Sequence, residues 1–177
     1  MSKIHTVAET SNLRCVHYAE RIWDAVSTED IDNGTFGYLD GVETEGGVIY
    51  NFVKGTKGGA SIVMAHNPEW TEDTSRKTNQ RKDKFFIEAG CPFRAYTIHM
   101  GDEFALSEAG FEGKPEIGKY VSIDTNGKLA VADAPAEGAV MVGKIMRKRQ
   151  VGSTLVTGVR TYGYSRMMYT VKVEALA

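Results

Sequence analysis

The 177-residue chain has little cysteine, little proline and no long apolar run. Its two cysteines, Cys15 and Cys91, stand far apart and form no CxxC pair. A disulfide-stapled scaffold is thereby excluded, and the expectation is two reduced, mostly buried thiols. No apolar segment approaches the roughly 18 residues that span a bilayer as a helix, and no basic start precedes an apolar run with a small-residue cleavage site. The expected chain is cytosolic in synthesis and unprocessed. There is no repeat with a period of 20 to 50 residues and no low-complexity tract, which removes solenoids. GxSxG, HExxH, a P-loop and a GxGxxG opening a helix after a strand are all missing, and with them the enzyme classes those motifs announce.

What is present describes an ordinary soluble core, with 42% hydrophobic and 25% charged residues. One domain, or one domain with an appended subdomain, fits this length. The net charge of −2 conceals a polarity along the chain. Residues 1–50 carry nine acids and three bases, whereas residues 138–173 carry seven bases and no acid. Such ends can pair within a molecule or between copies, because complementary potentials steer encounter and fix orientation.

Glycine is frequent at 19 residues against 4 prolines, and turn pairs recur: Asn33-Gly34, Asp40-Gly41, Gly46-Gly47, Gly58-Gly59, Gly101-Asp102 and Asn126-Gly127. Between them lie short segments rich in Val, Ile, Tyr, Phe and Thr, among them "RCVHYA", "TFGYLD", "VIYNFV", "SIVMAH", "KFFIEA", "FRAYTIH", "EFALS", "AVMVGKIM", "STLVTGVR" and "MYTVKVEA". Short strands at this spacing predict an all-β sandwich or barrel. In "YVSIDTNGKLAVAD" the Asn126-Gly127 pair predicts a type I′ hairpin, with Val121 and Ile123 on one face and Tyr120 and Ser122 on the other.

The stretch "TEDTSRKTNQRKDK", residues 71–84, has no apolar side chain, and structureless connections of that length are usually functional or disordered. It sets the expected division: an N-terminal β subdomain over 1–70, a polar arm over 71–84 and a C-terminal β-barrel-like domain over 85–177. Aromatic residues flank the arm, so Trp70, Arg76, Lys77, Asn79, Gln80, Arg81, Lys82, Phe85 and Phe86 are the candidate partner-binding residues.

Two other chemistries compete. Five bases in the arm, with Lys144, Arg147, Lys148 and Arg149 in "KIMRKRQ", suit phosphate and keep a β-barrel nucleic-acid-binding protein as an alternative. The net charge and a pI near 6.1 count against it. A small hydrolase using Cys91 or a histidine is the other. His99 lies eight residues beyond Cys91, about 26 Å along an extended strand, so those two cannot meet on it. For metal, Cys15 and His17 share one face if their segment is a strand, with His66, His99, Cys91, Asp102 and Glu103 as conceivable partners. Zinc sites use repeated close pairs, and one loose pair leads to the expectation of no metal and no cofactor.

Residues 101–153, "GDEFALSEAGFEGKPEIGKYVSIDTNGKLAVADAPAEGAVMVGKIMRKRQVGS", carry a Gly-Asp turn, a Gly-Lys-Tyr-Val strand, a hairpin ending in Gly-Lys-Leu and a Val-Gly-Lys-Ile return strand. This pattern resembles the capsid decoration (head auxiliary or cement) proteins of tailed bacteriophages. The resemblance implies a small barrel of the β-tulip type, homo-oligomers with a trimer favoured, and binding to the major capsid protein on the outer face of an expanded shell, without catalysis. It implies a virion location after synthesis in the bacterial cytoplasm, and a head-tail or tail component shares the same features. The smallest members lack anything like residues 1–90, and no binding residue carries over singly.

Overall fold

The computed structural model describes residues 4–18, 20–42, 48–69, 81–157 and 160–177, with 153–157 and 160–164 by backbone alone. The strands among them are β1 (Ala8–Glu9), β2 (Ile22–Val26), β3 (Phe36–Val42), β4 (Ile49–Lys54), β5 (Val63–His66), β6 (Phe93–Thr97), β7 (Glu103–Ser107), β8 (Phe111–Glu112), β9 (Tyr120–Ile123), β10 (Leu129–Ala132), β11 (Met141–Thr157) and β12 (Arg160–Leu176). One short helix, α1 (Arg14–Tyr18), joins β1 to β2. Five strands close a barrel in the order β2-β4-β3-β5-β6, and the others form a sheet in the order β1-β7-β12-β11-β9-β10-β8. The chain is all-β with a small closed barrel and an additional sheet.

The barrel is not in residues 85–177, where the sequence reading puts it. It runs from Ile22 to Thr97, and β6 closes it by pairing with β2 on one side and β5 on the other. The polar stretch 71–84 thus falls between two strands of one barrel. Conversely, β1 from the N-terminal part pairs with β7 in the other sheet. Closure depends on Ile22 lying opposite Tyr96 and on a parallel pairing of Asp24 with Ile49, contacts that no local turn signal encodes.

Side-chain alternation along β5 links the two layers. Val63 and Ala65 face the barrel interior with Ala25, Phe52, Phe93 and Ala95. Met64 points the other way, joining Phe36, Phe104, Leu106, Val121, Leu129, Ile145 and Val171 in one core shared by barrel and sheet. Phe36 and Phe104 meet across that seam with ring centroids 5.3 Å apart. The face expected for Val121 and Ile123 is the one observed: together with Leu129 and Val131 of β10 and Tyr169, Val171 and Val173 of β12 they face this core.

Three local expectations are corrected. "RCVHYA" is helical rather than extended over Arg14–Tyr18, anchored by buried Leu13 and Cys15 and by the Arg14 N–H donating to the Asp102 carboxylate at 2.8 Å. "KFFIEA" contributes only the bridge between Ile31 and Ile87. Its consecutive aromatics go to different places, Phe85 against the barrel core and Phe86 stacked on His5 at 5.0 Å. At Asn126-Gly127 only Gly127 has positive φ, at +74°. The Gly127 N–H donates to the Asp124 carbonyl at 3.1 Å, and the Asp124 carboxylate receives the N–H groups of Asn126 and Lys128, each at 2.8 Å. This is a type I turn followed by a left-handed glycine, the usual three-residue hairpin loop, and not type I′.

Gly127 also docks the hairpin on the barrel. Its carbonyl accepts the Phe36 N–H at 2.8 Å, and a Cβ there would stand 2.3 Å from the Phe36 carbonyl oxygen. Gly127→Ala is therefore expected to cost about 2–4 kcal/mol, combining the positive-φ penalty with overpacking against backbone. Urea denaturation at constant m-value measures it.

Candidate functional site: a basic ribbon beyond the sheet

β11 and β12 pair with each other along their whole length, from Met141 opposite Leu176 to Thr157 opposite Arg160. Their outer neighbours are much shorter. β9 pairs with β11 only over Val142–Lys144, and β7 pairs with β12 only over Met168–Lys172. Eight cross-strand pairs, from Gln150 and Met167 to Thr157 and Arg160, extend past both neighbours. At about 3.3 Å per residue, that is a two-stranded ribbon of about 26 Å. Its edges have no strand partner among the described residues.

A β-bulge sets which side chains the root of this ribbon presents. Register shifts between Ile145 and Arg147, leaving Met146 unpaired and exposed. Strict alternation from buried Ile145 would send Arg147 and Arg149 toward the core. The extra residue instead puts Arg147 opposite Thr170 and Arg149 opposite Met168, on the sheet face away from the shared core. There Arg147 donates to the Thr170 hydroxyl at 3.2 Å and lies 3.6 Å from the Glu103 carboxylate, while Arg149 pairs with Glu9. These four charged side chains line a cavity of about 250 Å³ with Ser11, Asn12 and Phe104. Val151 continues the same face, packing near Val7, Ala105 and Met168. The arginines fasten the root across β12 to β7 and β1. Such exposed pairs each contribute at most about 1 kcal/mol, so they orient the ribbon more than they stabilise the fold.

Across residues 146–167 the ribbon sequence has five bases, Arg147, Lys148, Arg149, Arg160 and Arg166, with no acid and no proline. Lys148 and Gln150 are exposed on the opposite face from Arg147 and Arg149. Gly152, at φ +90°, lies opposite Ser165 and admits a local kink without ending the strand.

The residues expected to bind a partner through the polar arm are placed as follows. Trp70, Arg76, Lys77, Asn79 and Gln80 lie outside the described residues. Arg81 donates through Nε and Nη2 to the two carboxylate oxygens of Asp83, at 2.9 and 2.7 Å. Lys82 donates to Glu69 at 3.0 Å. Phe85 and Phe86 are half-buried in the contacts given above. The four described residues are thus held by their own chain, and among the described residues the β11–β12 ribbon extends past its neighbouring strands. The sequence shows its basic run "KIMRKRQ", but the expected strands "AVMVGKIM" and "STLVTGVR" leave residues 147–152 of β11 between them.

The sites weighed for catalysis and metal look different in three dimensions. Cys15 and His17 sit on a helix, one buried and the other exposed. Burial, with a smaller contribution from Asp102, pushes the Cys15 thiol up to about 11, the reverse of an activated nucleophile. Cys91 is exposed in the turn before β6. His5 contacts the Asp32 carboxylate at 2.7 Å. His66 packs edge-on to Tyr96, and burial lowers its pKa below the ordinary imidazole value. Among the described residues no group of three or more His, Cys, Asp or Glu side chains converges as metal ligands do.

Comparison of the chain with protein-family models, curated proteins and solved structures finds no match.

Proposed function

We propose that this chain is a non-enzymatic assembly protein whose β11–β12 ribbon grips neighbouring subunits, and that it serves as a decoration protein on the capsid shell of a tailed bacteriophage. The observation that carries the assembly reading is the ribbon running eight pairs past both flanking strands. An isolated two-stranded ribbon is marginal in water, and open edges invite another chain. Its root, by contrast, is fastened to the sheet by Arg147 and Arg149, so the two strands leave the sheet in a set direction. The capsid assignment is supported by the resemblance over residues 101–153, which reaches into β11. Function then needs no reactive group: many modest contacts on a repeating lattice sum to firm attachment.

One observation favours a second reading. A two-stranded ribbon fits the DNA major groove, and this one carries five bases and no acid. Arg147 and Arg149, however, already face carboxylates, which leaves fewer charges to neutralise phosphate. The assembly reading is therefore preferred.

Light scattering at low and high salt, followed by co-sedimentation with shells of the major capsid protein from the same virion, tests this reading. A closed oligomer that saturates the shells is expected. A monomer at both salts that leaves the shells in the supernatant would overturn it.

A further inference from the structure

The charge map selects what lies against the ribbon. Resting on the assembly reading above, we infer that the ribbon of one copy lies across two acidic barrel loops, residues 27–30 and 88–91, of a second copy.

Pairing of two ribbons is disfavoured by their own charge. Each bears five bases and no acid over residues 146–167, and like charges directly opposite in a sheet are destabilising. The first fifty residues hold the complementary excess, nine acids against three bases. Several of those acids are answered locally: Glu20 by Arg14 at 3.4 Å, Asp40 by Lys57 at 3.3 Å, and Asp32 by His5. Glu29 and Asp30, joined by Glu88 from the second loop, are different. The Ile31–Ile87 bridge brings their two loops together, the Gly90 N–H donates to the Ser27 carbonyl at 2.8 Å, and the Ala89 N–H donates to the Asp30 carboxylate at 2.9 Å. All three acids are exposed, and the described ion pairs set against them only Lys54, 2.9 Å from Glu29.

The fit is also structural. A closed barrel has no strand edge to offer, so the ribbon cannot simply extend it. Loops can cover a ribbon edge instead, one of the ways proteins blunt such edges. Ribbon and loops are different surfaces of the chain, so the contact is head-to-tail, and it closes into a ring when the rotation between copies permits.

Cys91 supplies the test. It is exposed on the second loop, its N–H donating to the Glu88 carbonyl at 3.1 Å, whereas Cys15 is buried. In a Gln150→Cys variant of the full chain, copper-phenanthroline oxidation is expected to link chains into covalent oligomers on a non-reducing gel. Adding Cys91→Ser should abolish the link. Lys148→Glu should slow crosslinking on the order of tenfold, and combining it with Glu88→Lys should restore the rate. A crosslink that persists without Cys91 joins two ribbons and overturns the inference, as does a link confined to monomer mass. Wild-type oligomers without any Gln150→Cys crosslink overturn the docking while leaving the assembly reading intact. A protein monomeric at every salt, whose Lys148→Glu variant loses affinity for duplex DNA, overturns both in favour of nucleic acid.

Discussion

Replacing residues 150–167 by an Asn-Gly turn between Arg149 and Met168 is expected to leave a folded monomer that no longer binds shells. Arg149 and Met168 already face each other across the ladder, and a two-residue Asn-Gly connection suits a tight hairpin. The buried members of the shared core and of the barrel core all lie outside the excised stretch, which takes only the partly buried Met167 from the edge of the shared core. What the fold loses is the packing of Met167 against the shared core and of Val151 near Val7, Ala105 and Met168, worth about 2 kcal/mol together for two partly buried side chains. For a chain of this size that lowers the melting temperature by about 4–8 °C. Binding falls much further, because every contact on a repeating lattice loses the same element and the multivalent gain disappears. Light scattering and shell co-sedimentation read the two effects separately. Wild-type occupancy by the shortened chain would show that the ribbon is not the gripping element.

The ribbon illustrates what was legible in the sequence and what was not. The expected strand "EFALS" matches β7 to the residue, and alternation gives the faces of β9, because that strand buries one side against the core. The expected strand "AVMVGKIM" ends at Met146, before the charged run, where strict alternation from Ile145 would carry Arg147 and Arg149 into the core. The bulge at Met146 resolves that conflict by shifting Arg147 and Arg149 to the other face, and nothing in local composition announces a bulge. Gly152 falls between the expected strands "AVMVGKIM" and "STLVTGVR", yet it sits within the ladder opposite Ser165. Barrel closure was hidden for a different reason. The pairings of β2 with β6 and with β4 join segments distant in sequence, one of them parallel, and hydrophobic pattern alone specifies neither partner. The arm over residues 71–84 drew attention by its polarity, but its described end is occupied internally: Arg81 with Asp83, Lys82 with Glu69 and Phe86 with His5. None of the nine candidate contact residues belongs to the β11–β12 ribbon.

Phe36→Ala is expected to destabilise the whole molecule in one step, and this result bears directly on how the chain is divided. Phe36 is fully buried at the start of β3, pairing with Met64 of β5, and its ring meets Phe104 of β7 across the seam. Its backbone N–H donates to Gly127 of the β9–β10 loop, so barrel, sheet and hairpin converge on this residue. Truncating a buried phenylalanine costs about 3–5 kcal/mol through lost transfer energy and the cavity left behind. In a chain of this length that corresponds to a fall in melting temperature of about 6–20 °C. Calorimetry should show a single transition in wild type and variant, displaced as a whole, because the cluster that contains Phe36 includes residues of both layers. If residues 1–70 and 85–177 were instead separate units, the variant would split into two transitions, with the one from 85–177 unmoved. That outcome would be hard to reconcile with β6 closing the barrel from beyond residue 84, and with β1 lending its edge to β7. One cooperative body also explains how a ribbon rooted in the sheet can hold a fixed orientation to acidic loops on the barrel, the geometric condition for copies to meet head to tail.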